Sequence, residues 1–271
     1  MTDKNLPGIN VILNQKREWT PLSTSPPTNM TWGINFGGGV NSTALLLILH
    51  AKGLRPDWVL FADTGSERPE TYENVERVEK WCQSVGFPFA VTRWIRKTGQ
   101  FESVHENALR TEYLPSKAYG YSGCTYKWKI QPMVKWRSQH GMEESVVAIG
   151  YDAGEKRRVK KVVVSCASSE YDPSLRFLWY PLVAWGIDRV DCERMLAEKG
   201  WPVVKSSCFL CPHMRKPEWE SLKLDHPKLF QIALDVEKGA KAAGHADTAS
   251  IFKQAGGSCL CLADSCSGDE V

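Results

Sequence analysis

Four short stretches carry residue types that do chemistry. In Asn35-Phe36-Gly37-Gly38-Gly39-Val40-Asn41-Ser42-Thr43, three consecutive glycines precede a hydroxyl pair between two apolar runs. Glycines at such a junction let backbone N–H groups approach phosphate oxygens, and the start of a helix adds the positive end of its dipole. A tight strand-to-helix turn with Asn41 or Ser42 as N-cap explains the same residues equally well. The Gly-Lys-Ser/Thr ending of a Walker loop is missing, and consecutive glycines do not fit the dinucleotide fingerprint. Asp63-Thr64-Gly65 follows an apolar run, so Asp63 falls at a strand's carboxyl end, where a carboxylate can orient a ribose, a magnesium ion or an attacking group. Taken alone, it reads as a turn before the next helix. Cys208-x-x-Cys211, with Pro212 behind it, is a two-ligand unit open to zinc, an iron–sulfur cluster or dithiol chemistry. Lys156, Arg157, Arg158, Lys160 and Lys161 follow the apolar residues 145–149. Such a run is usually a solvated face, but at a strand end it aims an arginine at the cleft, where a planar guanidinium grips phosphate.

The elements that must position these residues alternate. Strand-like runs WGINF, WVLFAD, FAVTRW and SVVAIGY are separated by helical patterns beginning near Ser42 and Pro69 and spread across 100–140. That order predicts an α/β fold with an open, mainly parallel sheet flanked by helices. Pro69 suits the first position of its helix, and Tyr72, Val75, Val78 and Trp81 behind it form an apolar stripe. Further helices are expected near 187–199, 217–224 and 227–243. Residues 1–30, with PLSTSPP, read as an arm, 31–213 as the folded α/β domain, 214–254 as a helical portion, and the Cys-rich 255–271 as a mobile tail.

Composition narrows the class. The chain has 271 residues, 42% hydrophobic, enough for a full core. Lys plus Arg is 34 and Asp plus Glu is 31, so net charge alone points to neither nucleic acid nor a membrane surface. No run approaches a membrane span and the first thirty residues lack a signal-like apolar segment, so a cytoplasmic protein without a membrane partner is expected. Nine cysteines in a reducing compartment direct attention to metal or redox chemistry. Cys82, Cys166 and Cys192 lie in apolar or helical settings and read as inert packing.

The motifs together resemble a known family. GGGVNS is similar to the SGGxDS loop of the PP-loop ATP pyrophosphatases, and FADTGSERPET to the DTGxxxPET segment of their PAPS reductase branch. GCTYKWKIQPM resembles that family's CCxxxKxxPL, with Cys124, Lys129 and Pro132 in register. GYDAGEKRR, YPLVAW and SSCFLCP continue the likeness over residues 34–213. Two positions depart from the pattern: Asn41 replaces the loop's acidic residue, and Thr125 the second cysteine of the pair.

The resemblance implies that Gly37, Gly38, Gly39, Asn41, Ser42, Thr43, Asp63 and Thr64 bind an adenine nucleotide, with Asp63, Glu155 and Arg158 as catalytic residues. It implies Cys124, Cys208 and Cys211 as ligands of a 4Fe–4S cluster with one iron left open. The activity expected is ATP binding with Mg2+, adenylation of a substrate with release of pyrophosphate, and sulfur transfer to an acceptor for which nucleic acid is one candidate. A sulfonucleotide reductase acting on PAPS or APS and a nucleotide-sensing module are the other readings. Cys259, Cys261 and Cys266 are left as a fourth ligand, a mobile thiol or neither.

Overall fold

The computed structural model describes residues 20–115, 123–159, 177–203 and 205–244. Cys166, Lys160, Lys161 and the tail cysteines Cys259, Cys261 and Cys266 lie outside them.

The chain divides into two compact units. The first, residues 1–62, 69–92 and 133–206, is built on a five-stranded sheet. Its strands are β1 (Trp32–Phe36), β2 (Trp58–Asp63), β3 (Phe89–Arg93), β4 (Val146–Ile149) and β5 (Leu178–Trp179), in the order β3-β2-β1-β4-β5. The pairings β1–β2, β1–β4 and β4–β5 are parallel, with Gly33 opposite both Trp58 and Val147. The order reverses between β1 and β4, the place where open α/β sheets leave a crevice beyond their strand ends.

Both sheet faces are covered, and the two-residue period of the strands sorts the side chains. Ile34, Phe36, Val59, Phe61, Val146, Ala148 and Trp179 face α1 (Val40–Ala51), α2 (Pro69–Val85) and α6 (Arg189–Glu198). Trp58, Leu60, Ala62, Val147 and Leu178 face the opposite way, where Met133 and Trp136 of α4 (Gln131–Gln139) meet them. Helix α1 is apolar almost all round, with Leu45, Leu46 and Leu49 fully buried, as a helix inside the core must be. Truncating Leu45 to alanine there costs about 2–5 kcal/mol. Gly33 is required by packing: a Cβ on it would lie 2.1 Å from the Trp58 indole. Residues 20–25 strap the sheet edge, where Trp179 Nε1 donates to the Ser23 carbonyl at 2.7 Å and Trp185 Nε1 to that of Thr24 at 2.9 Å. The short α5 (Pro181–Ala184) follows β5.

The second unit, residues 63–68, 93–132 and 207–271, is helical in its described part. Helix α3 (Val104–Thr111) starts at a capping box made by Ser103 and Glu106. A π-helical segment, Thr125–Ile130, runs directly into α4. Helices α7 (Lys216–Asp225) and α8 (Pro227–Ala242) each begin with a proline in the first turn. Their core is Trp128, Phe209, Leu210, Trp219, Leu222 and Phe230, with Cys124, Cys208 and Cys211 packed against it. Among the described residues no helix is long and apolar enough to cross a membrane.

Candidate functional site

The glycine loop lies between β1 and α1 in the first unit. The expected N-cap at Asn41 or Ser42 is not what forms: α1 starts at Val40, its N-cap is Gly39, and no side chain caps it. Asn41 and Ser42 instead fall inside the first turn, which carries no acidic residue. Early amides of a helix have no partner within it, and here no cap competes for them, so they are available to an anion.

The loop is braced by its own hydroxyls and by α2. Gly38 has φ +73°, where a side chain is strained, and a Cβ there would stand 2.8 Å from Thr71 Cγ2. Asn74 Nδ2 donates to the Gly38 carbonyl and to Thr43 Oγ1, both at 2.9 Å. Thr43 Oγ1 donates to the Gly39 carbonyl at 2.8 Å, and Ser42 Oγ to the same oxygen at 3.1 Å. The Gly37 N–H reaches Ser42 Oγ at 3.3 Å. Both hydroxyls therefore shape the loop. Gly150, at the end of β4, lets the chain pass α1: a Cβ would come within 3.1 Å of the Ser42 backbone.

Asn41 points into a polar network across the β1–β4 crevice. Its Nδ2 donates to Asp152 Oδ2 at 2.8 Å and lies 3.5 Å from Glu155 Oε2, while Arg189 Nη1 donates to its Oδ1 at 3.3 Å. Asp152 is buried and forms a capping box with Glu155 at a 3-10 turn, Ala153–Glu155. An amide at position 41 thus supplies a donor to Asp152, where a carboxylate would add like charge. Arg158 pairs with Glu155, its guanidinium lies 4.3 Å over the Tyr151 ring, and its Nη2 reaches the Tyr151 hydroxyl at 3.3 Å. Glu155 lies beside Asn41 and carries Arg158 on its other side; Arg158 is exposed, as are Lys156 and Arg157.

In the second unit, Asp63 holds a turn. Its Oδ1 accepts from the Gly65 N–H and its Oδ2 from Arg93 Nε, each at 2.8 Å. Thr64 Oγ1 donates to Glu67 Oε1 at 3.1 Å and accepts from the Ser66 N–H at 3.2 Å. The turn is clipped to the CxxC loop: the Phe209 N–H donates to the Ser66 carbonyl at 2.9 Å, and Glu67 forms an antiparallel bridge with Cys208. Leu210 N–H donates to Cys208 Sγ at 3.4 Å, a contact that favours a thiolate.

Cys124 precedes the π-helical segment whose Lys129 reaches Glu67 Oε1 at 2.9 Å. A π-turn bonds residues five apart and brings Cys124 and Lys129 to one face. In an α-helix, at about 100° per residue, they would diverge by about 140°. Burial pushes the Cys208 thiol well above its usual value, and Cys211 and Cys124 upward, against a downward pull from Lys129 on all three. Burial works against the Lys129 ammonium as well, but Glu67 outweighs it and holds it above the ordinary lysine value. Among the described residues no group of three or more His, Cys, Asp or Glu side chains is arranged to hold a metal ion. Cys82 and Cys192 are buried with their thiols pushed up to about 12 by burial, which suits packing residues.

Sequence reasoning missed Asn74, Asp152, Arg189 and Glu67. Only Asp152 had a local signal, the Asp-x-x-Glu spacing of a capping box. Asn74, Arg189 and Glu67 each reach a partner far away in the chain, Gly38, Asn41 and Lys129 respectively.

An open α/β sheet with a glycine loop opening an uncapped helix at its order reversal defines the class of doubly wound α/β domains. The chain belongs to the phosphoadenosine phosphosulfate reductase domain family, whose model matches residues 32–205. It is 27% identical over 205 residues to the Methanocaldococcus jannaschii protein called uncharacterized protein MJ0066. That match covers 73% of this chain and 39% of the other, so the chain spans about two fifths of the curated relative. Among solved structures it is similar to the U34-tRNA thiolase NcsA from Methanococcus maripaludis with its 4Fe–4S cluster. The identity is 13% and the TM-score 0.43, over 79% of this chain and 72% of that one.

Proposed function

We propose that this protein is an ATP-dependent adenylating enzyme that transfers sulfur. The carrying observation is the Gly37–Gly39 loop, braced by Asn74 and opening an uncapped helix, which suits the triphosphate of ATP. Asn41 lies against Asp152 and Glu155, and these carboxylates beyond the end of β4 would be the ones to hold a Mg2+ ion brought with the nucleotide. An acceptor oxygen attacks the α-phosphorus, and pyrophosphate leaves with the electron pair of the broken P–O bond. Arg158 offsets charge that grows on the phosphoryl oxygens. Asp63, already engaged by Gly65 and Arg93, acts by holding its turn.

Cys124, Cys208 and Cys211 are the residues that would hold a 4Fe–4S cluster, once their thiols are drawn together around it. Soft thiols packed against one apolar core, with a cation beside them and an amide aimed at Cys208, fit that donor chemistry. When bound, the cluster would be held by these three cysteines and would supply a site for sulfide; attack of sulfide on the activated carbon of the acceptor expels AMP, which leaves with the electron pair of the broken C–O bond. Lys129 balances thiolate charge.

The family's own description favours a sulfonucleotide reductase as the second reading. Anaerobically purified protein, titrated by calorimetry with ATP and with PAPS, separates the two. Binding of ATP, pyrophosphate release and stoichiometric iron and sulfide that vanish in Cys124→Ala support the proposal. Sulfite release from PAPS, or a single tightly bound zinc, overturns it.

A further inference from the structure

The second unit carries a cluster of cations that the nucleotide and cysteine chemistry does not use. Glu102, buried, accepts from Arg110 Nε at 2.6 Å and Nη2 at 3.2 Å, from Arg96 Nη1 at 3.4 Å and from Asn107 Nδ2 at 2.9 Å. Lys127 joins this group from the π-helical segment, with its ammonium 4.0 Å from the Trp94 ring centroid and 4.2 Å from that of Trp128. Trp128 Nε1 in turn donates to the Glu102 carbonyl at 2.8 Å. Three cations thus surround one carboxylate. Burial holds the Lys127 ammonium below the ordinary lysine value, and Arg110 and Arg96 add to that against the pull of Glu102.

The same segment exposes aromatic surface. Residues 95–101 form a tight hairpin, with the Arg96 N–H donating to the Gln100 carbonyl at 2.8 Å and Ile95 bridging to Phe101. Its tip, Lys97 to Gln100, is exposed. Phe101 and Tyr126 are exposed as well, at 38% and 37%. Phe101 is seated on the Asp63 turn: a Cβ at Gly65 would lie 2.7 Å from Phe101 Cζ, and Arg93, the partner of Asp63, lies over the ring.

We infer that this face binds a single-stranded polynucleotide, with Arg96, Arg110, Lys127 and Lys97 meeting phosphates and Phe101 and Tyr126 stacking on bases. Three cations around one carboxylate leave a net positive charge that attracts any polyanion, and the exposed aromatic rings select among polyanions. A flexible strand offers phosphates and free base faces together, whereas an acidic peptide leaves the rings uncovered and a duplex keeps its bases stacked on each other. The inference deepens the sulfur-transfer reading by naming the acceptor's class, but binding depends on neither ATP nor the cysteines.

The test is fluorescence anisotropy with the full chain and a labelled fifteen-nucleotide oligouridylate over a salt series. The logarithm of the binding constant should fall linearly with log salt, by about 0.7 per phosphate neutralised. Lys97→Glu, at the exposed tip, should weaken binding and reduce the slope without touching the fold. Arg110→Gln with Lys127→Gln should do so more strongly, and Phe101→Ala should cost about tenfold. Gly38→Val should leave binding unchanged, so failure of the ATP site and failure of this surface are told apart. No binding at low salt overturns the inference, as does equal binding by Lys97→Glu and Phe101→Ala. Polyglutamate binding more tightly than the oligonucleotide overturns it in favour of an acidic protein partner.

Discussion

Lys129 Nζ and Glu67 Oε1 lie 2.9 Å apart, joining the π-helical segment behind Cys124 to the turn whose Glu67 bridges Cys208. The Glu67 side chain is 1% exposed and that of Lys129 is 40% exposed, so the anion is the end that suffers if the pair is broken. Removing one partner of a buried pair costs about 3–5 kcal/mol, and the partly solvated lysine places this case near the lower figure.

Lys129→Gln should therefore lower stability by about 3 kcal/mol, and Glu67→Gln with Lys129→Gln should recover much of that loss. Urea denaturation of the single and double variants, held under the same anaerobic conditions, gives the coupling. Additive losses would show that the two side chains do not act as a pair.

Gly38→Val forces a branched side chain into φ +73° and against Thr71. Strain of this kind costs about 1–3 kcal/mol and displaces the loop. ATP affinity should drop by at least the corresponding factor while α1 stays folded. A calorimetric titration that matches the natural protein would remove the loop from the nucleotide site.

Asn41→Asp replaces the donor to Asp152 with a like charge. Loss of that hydrogen bond costs about 1–3 kcal/mol near neutral pH. Two adjacent carboxylates raise one pKa in the folded state, so the folded protein holds more protons there than the unfolded chain. The deficit should shrink as pH falls toward the ordinary carboxylate range and widen above it, as read from melting temperatures at pH 5 and pH 8. Asn41→Ser, which adds no charge, should show no such slope.

His105 gives a second pH signature. Its Nδ1 lies 2.9 Å from Ser66 Oγ and 3.0 Å from Ser103 Oγ, and burial holds its pKa below 6.5 against an upward pull from Glu106. The unfolded chain takes up the proton first, so stability is full above about 6.5 and declines as pH falls toward the folded value. His105→Gln should flatten that stretch of the profile. A profile unchanged by the substitution would assign the slope to other groups.

How much of this was legible depended on how local each cause is. The alternation of runs fixed the sheet and its helices closely: Pro69 does open α2, and the segments expected near 187–199, 217–224 and 227–243 form at 189–198, 216–225 and 227–242. The resemblance over 34–213 and the family match over 32–205 cover nearly the same residues. The start of α1 was misplaced because a glycine N-cap leaves no side-chain signal. The π-turn at TYKWKI carries no period of its own, and the Glu67–Lys129 and Asn41–Asp152 contacts join positions 62 and 111 residues apart. Such pairings exist only once the chain has folded.

Asn74 brings a last consequence, one of timing. Its amide fastens the Gly38 carbonyl and Thr43 from a neighbouring helix, so the curve of the loop exists before any guest arrives. An anion that settles there meets a loop whose shape is already set by Asn74. Its arrival should follow a single exponential whose rate rises in proportion to ligand concentration, without the plateau that a preceding isomerisation imposes.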